Sequence, residues 1–148
     1  MSNILVFNGK GGASKSTNSN IIASNIKDSI LIEIDIVNET QSDIKGDFEV
    51  KQIDFTHENQ ESFMEFENLL LEDKNTIIDI GASKISIFHQ AMIKANLYDT
   101  IDLLVIPCMD GYDDFNTALD LLTTLDNIIP SNQIIFSFNR FNEFCKFS

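Results

Sequence analysis

Apolar residues follow two rhythms along this chain. Short, largely continuous runs at 4–7, 29–34, 76–80, 101–106 and 133–138 have the length and branched aliphatic content of strands buried on both faces. Between them, apolar positions recur every third or fourth residue. Ile21, Ile22 and Ile26 share one face of a helix expected at 15–27, and Phe63, Phe66, Leu69 and Leu70 share one at 61–71. Further helices are expected at 85–97 and 115–125, while residues 48–55 alternate weakly and predict at most a short strand. Strands alternating with amphipathic helices imply crossover connections. The expected fold is α/β, a three-layer arrangement with a mostly parallel sheet and helices on both faces, in one domain spanning 1–148. Ligands of such sheets sit beyond the carboxyl ends of the strands.

The segment after the first run fits that placement. It reads Gly9, Lys10, Gly11, Gly12, Ala13, Ser14, Lys15, Ser16, Thr17, close to Gly-x-x-x-x-Gly-Lys-[Ser/Thr] between a strand and a helix, which defines a phosphate-binding loop. Backbone N–H groups of Gly11 to Lys15 can turn toward phosphate oxygens, and a helix N-terminus favours the same anion. Lys15 would place a point charge on the β and γ phosphates, and the Ser16 hydroxyl would hold Mg²⁺. Ser14 stands where such loops carry glycine. If that position needs positive φ, a serine costs about 1 kcal/mol of backbone strain, too little to abolish the site.

The additional lysine carries a resemblance. Lys10 to Thr17 resembles the deviant Walker A motif, Lys-Gly-Gly-x-Gly-Lys-[Ser/Thr]-Thr, of the ParA/MinD family of P-loop ATPases. In that family the early lysine reaches across a two-fold interface to the partner's nucleotide, so the resemblance implies that Lys10 acts in a nucleotide-dependent homodimer sandwiching ATP. Asp35, after the second run, matches the family's A′ acid near metal and attacking water. Glu33, Asp35 and Asn38 in "EIDIVN", without the usual Pro-Gln, are closer to the plasmid-stability and conjugation branch, StbB-like and TraL-like. Asp79 in "NTIIDIGAS" resembles the Walker B acid that holds Mg²⁺ through water, with Gly81 and Ala82 in place of Pro-Pro. Asn139, ending the last run, resembles the family's adenine-contacting asparagine.

The resemblance implies the P-loop NTPase fold, ATP and Mg²⁺ as ligands, ATP hydrolysis with Lys10, Lys15 and Asp35 as catalytic groups, and an activating or adaptor protein as partner. Relatives commonly continue past the asparagine-bearing strand, whereas only the eight residues "FNEFCKFS" follow "QIIFSFNR" here, so the chain is expected to be a short or truncated member.

Composition narrows the partners. Twenty-three acids against 10 bases give a net charge of −13. Nucleic-acid binding needs clustered Lys and Arg, and two of the ten bases lie in the loop. DNA is therefore a partner by resemblance only, unsupported by charge. No apolar run is long enough to span a bilayer, and the amino terminus lacks a signal-peptide pattern, so a cytoplasmic chain without membrane association is expected. Cys108 and Cys145 form no metal or disulfide spacing, and His57 and His89 suggest no role. Two other readings remain: a degenerate nucleotide-binding interaction module without turnover, and, against Lys10, a dethiobiotin-synthetase-like ligase.

Overall fold

The apolar runs form the strands of one six-stranded sheet. A computed structural model describes residues 2–7, 15–34, 48–54, 60–81, 84–109, 116, 119, 120 and 122–139. Along the chain, β1 (Asn3–Phe7) and α1 (Lys15–Asn25) precede β2 (Ser29–Ile34), β3 (Glu49–Gln52) and α2 (Gln60–Leu71). After these come β4 (Asn75–Ile80), α3 (Ile85–Lys94), β5 (Leu103–Met109) and β6 (Ile134–Asn139). Residues 116, 119, 120 and 122–124, within the helix expected at 115–125, are helical.

The strand order is β3-β2-β4-β1-β5-β6, and every pairing is parallel. Parallel neighbours need crossovers, which is why helices occupy both faces. Alternation along each strand divides the core. Leu5, Ile30, Ile32, Ile34, Ile78, Ile80, Leu104 and Ile106 meet Phe66 and Leu70 of α2 and Phe88 and Met92 of α3. Ile4, Val6, Leu31, Ile77 and Val105 point the other way and meet Ala23 of α1. On the broader face Phe66 and Phe88 pack edge to face, with ring centroids 5.7 Å apart. Truncating either ring would cost about 3–5 kcal/mol.

Helix ends show why some boundaries differ from expectation. The 85–97 helix stops at Lys94 because Asn96 adopts φ 54° and the Leu97 N–H bonds back to the Met92 carbonyl at 2.9 Å. Left-handed backbone suits Asn and Asp better than other non-glycine residues. Asp28 (φ 53°) before β2 and Asn127 (φ 63°) before β6 use the same device. A single 3-10 turn, Tyr98–Thr100, then delays β5 to Leu103. Tyr98 is buried there and bonds to His89 Nδ1 at 2.6 Å. Burial raises its phenol pKa and lowers that of the imidazole. His89 is thus part of the packing behind α3.

One expectation about α1 needs correction. Among its described side chains Ser19, Asn20 and Ala23 are buried and Ile22 and Ile26 pack partly covered against the core, whereas Ile21 is 56% exposed. Ser19, Asn20 and Ala23 occupy the sheet-facing positions, which turns Ile21 outward.

Candidate functional site

Three strands converge on the position expected for a ligand. β1 is flanked by β4 and β5, and β4 lies between β1 and β2. β1 ends at Phe7 and α1 begins at Lys15, so the glycine-rich segment connects a central strand to the helix on the face that carries Val6. Gly9, Lys10, Gly11, Gly12, Ala13 and Ser14 lie outside the described residues, as does Asp35. Lys15, Ser16 and Thr17 form the first turn of α1, and their side chains lie outside the described set.

Asp79 is well placed by register. It pairs with Val6 on β1 and with Glu33 on β2. Registered residues of parallel strands share a face, so Asp79 and Glu33 both project to the side occupied by α1. They are 3% and 2% exposed. Ile80 still belongs to β4, which puts Asp79 one residue before the strand's end. Beyond it, the Gly81 N–H donates to the Ile34 carbonyl at 3.1 Å. That bond ties the end of β4 to the end of β2, the residue preceding Asp35.

Glu33 is a site neighbour to which sequence reasoning gave no role. Its Oε2 accepts from Gln52 Nε2 on β3 at 3.3 Å, extending a polar line Gln52, Glu33, Asp79 across three strands. An acid interrupting the apolar run "SILIEI" was the available signal. What the sequence lacks is the register that puts the acid beside Asp79.

Carboxylate oxygens are hard donors suited to Mg²⁺, which takes one or two carboxylates and completes its shell with water and phosphate. Two buried acids beside one another, at the carboxyl ends of their strands, fit such an ion. No group of three or more His, Cys, Asp or Glu residues capable of holding a metal occurs among the described residues. That excludes an all-protein cage there but not a site shared with phosphate. Asn139 ends β6 opposite Met109 of β5, two strands from β1, and its side chain lies outside the described set. Among the described residues no helix is long and apolar enough to cross a membrane.

No protein-family profile matches the sequence, and no curated protein matches it. Solved structures do. A protein proposed to act in plasmid partition in Borrelia burgdorferi B31, bound to AMPPNP, superposes with a TM-score of 0.65 at 15% identity, over 96% of this chain and 77% of that one. A plasmid partition protein from Borrelia burgdorferi gives 0.61 at 18% identity, over 96% and 80%. An iodide-soaked crystal of a partition protein from the same organism gives 0.63 at 17%, over 99% and 82%. At these identities the likeness is one of fold: this chain has the α/β, P-loop NTPase-like architecture of those plasmid partition proteins.

Proposed function

We propose that the chain is a Mg²⁺-dependent ATP-binding and hydrolysing switch whose nucleotide state controls dimerisation, serving plasmid partition, plasmid stability or a related positioning process. The observation that carries this reading is the register of Asp79 with Val6 on the strand that leads into Gly9–Thr17. Asp79 is thereby near the carboxyl end of the strand beside the one whose sequence continues into the phosphate-loop motif, which supports this reading. The AMPPNP bound to a partition protein of the same fold supports ATP as the ligand.

Each residue has a role in this reading. Backbone donors of Gly11 to Lys15, within the Gly9–Thr17 loop, hold the triphosphate, and Lys15 neutralises its β and γ oxygens. Bound Mg²⁺ would supply Lewis-acid stabilisation of phosphate charge, and Ser16 and Asp79 would hold it. Asp35, which follows β2 in the sequence, orients the attacking water. Lys10 reaches the partner's nucleotide, where a cation offsets charge that develops on the transferred phosphoryl group. Turnover then requires two chains. Asn139 contributes to base recognition. An activating or adaptor protein acts on this dimer.

A nucleotide-holding module without turnover is the second reading, favoured by Ser14 at the glycine position. Lys10→Ala separates the two. In the switch it keeps ATP binding, because Lys15 and the backbone donors remain, but loses ATP-induced dimerisation in light scattering and loses phosphate release. A Lys10→Ala monomer as active as the parent would refute the switch. A parent that binds ATP but releases no phosphate would establish the module.

A further inference from the structure

The solvent face of α2 carries a surface that the nucleotide site leaves unused. α2 packs on the side of the sheet opposite α1, held by Phe66, Leu69 and Leu70. Its outward side is not uniformly polar. Met64 is 60% exposed and Leu71 70% exposed. Separated by two turns, they lie almost in line along the helix. Glu61, Glu65 and Glu72 flank this line on one side and, with Lys51 of β3, line a shallow groove between helix and sheet edge. Glu67, three residues after Met64 and four before Leu71, stands on the other flank. Lys51 lies 3.7 Å from Glu65, which leaves the groove in excess negative charge.

An apolar line between charged flanks is how one helix selects another. The line supplies buried area, and the flanks decide which partner is accepted. A second copy of this chain would set the same carboxylates against each other, a juxtaposition that charged interfaces avoid. A cationic partner gains from it, and the chain's charge of −13 would speed its approach. The helix is 12 residues long, about 18 Å, which matches a partner helix of similar length.

We propose that the outward face of α2 is a docking surface for a basic amphipathic helix of a partner protein. Aliphatic side chains of that helix seat on Met64 and Leu71, and its Lys or Arg residues face Glu61, Glu65, Glu67 and Glu72. A helix docked there leaves α1, on the other face of the sheet, uncovered.

The test uses the full chain and a stapled synthetic helix with leucines seven residues apart and lysines on both flanks, followed by fluorescence anisotropy. A second peptide of the same composition has its leucines displaced, so that no apolar line forms. The chain should bind the first peptide more tightly than the second. Met64→Ser with Leu71→Ser, and separately Glu61→Lys with Glu65→Lys and Glu72→Lys, should each weaken binding about tenfold. Asp99→Lys with Asp120→Lys and Asp126→Lys, an equal charge change at exposed positions elsewhere, should leave it nearly unchanged. If the first charge reversal impairs folding, the corresponding Gln triple makes the same comparison. Absence of binding, equal affinity for both peptides, or equal loss in the distant triple would overturn the proposal. So would dimerisation of the chain through this face, seen as a concentration-dependent mass that Met64→Ser with Leu71→Ser abolishes.

Discussion

Asn3 and Asp79 sit at opposite ends of two neighbouring strands and are almost equally buried, 8% and 3% exposed, yet their surroundings differ. The Asn3 Nδ2 donates to the Leu70 carbonyl at 3.3 Å and to the Thr100 carbonyl at 3.0 Å. Its Oδ1 accepts from the Thr76 hydroxyl, and its N–H donates to Asp102 Oδ2 at 2.8 Å. Nearby, the Ser2 N–H meets Asn75 Oδ1, and Asn75 Nδ2 meets the Lys27 carbonyl. At that end polar groups serve to join β1, β4, α2 and the turn before β5. Asp79 instead has a second buried acid, Glu33, in register beside it. A matched neutral amide is a net gain in a low-dielectric interior, whereas adjacent carboxylates favour a cation between or near them. Equal burial thus marks a structural device at one end, while the proposed function assigns the other to the metal.

The contrast can be broken most readily at the amino end. Asn3→Ala deletes two donors and strands the Thr76 hydroxyl, and should lower stability in urea by about 3 kcal/mol. The thermal shift produced by ATP with Mg²⁺ should survive. Loss of that shift without loss of stability would mean the two ends are not separate devices.

The opposite result is expected at the other end. Lys15→Ala should leave the melting temperature of the unliganded chain near the parent value. It should also remove the nucleotide-linked stabilisation, worth about 2.7 kcal/mol at a hundredfold excess over Kd. Equal stabilisation of mutant and parent would refute the loop assignment. Asp79→Asn should have a smaller effect, weakening the Mg²⁺-dependent part of the response while the unliganded fold holds. An unchanged Mg²⁺ titration would make Asp79 an ordinary buried strand residue.

The smallest effect concerns His89, which bonds to Tyr98 in the turn before β5. Desolvation lowers its pKa below 6.5, so the folded chain binds this proton less tightly than the unfolded chain. Its contribution is complete above the unfolded value and is lost as pH falls through that value toward the folded one. Thermal melts from about pH 7 to about pH 5.5 should show a steeper decline for the parent than for His89→Gln. Parallel declines would show that His89 contributes nothing to the slope.

Much of the fold was legible because parallel strands buried on both faces leave an unmistakable apolar run. The second run and β2 coincide at 29–34, and α2 differs from its expected span by one residue. Weak signals were those settled by distant contacts. β3 shortens to Glu49–Gln52, where its pairing with β2 ends. β5 was expected at 101–106, but the Ile101 N–H closes the preceding turn onto the Tyr98 carbonyl, while pairing with β6 carries the strand on to Met109. At the site, the strand, loop and helix order was readable locally. The roles of Asn3 and the neighbourhood of Glu33 were not, because each depends on register with a strand encoded far away.

That dependence also orders events in time. β1 precedes every other strand of this sheet in the chain, yet it lies inside the sheet, and Asn3 is bound to partners 73 and 99 residues later in the chain. Contacts so distant raise the entropic cost of loop closure and slow folding. During synthesis, the strand that leads into the glycine-rich loop must wait for β4 and then β5 to emerge before it has a neighbour on each side. A strand encoded before its neighbours thus waits for them to be fixed, and a nascent chain interrupted before β5 would hold the loop's sequence without the complete sheet.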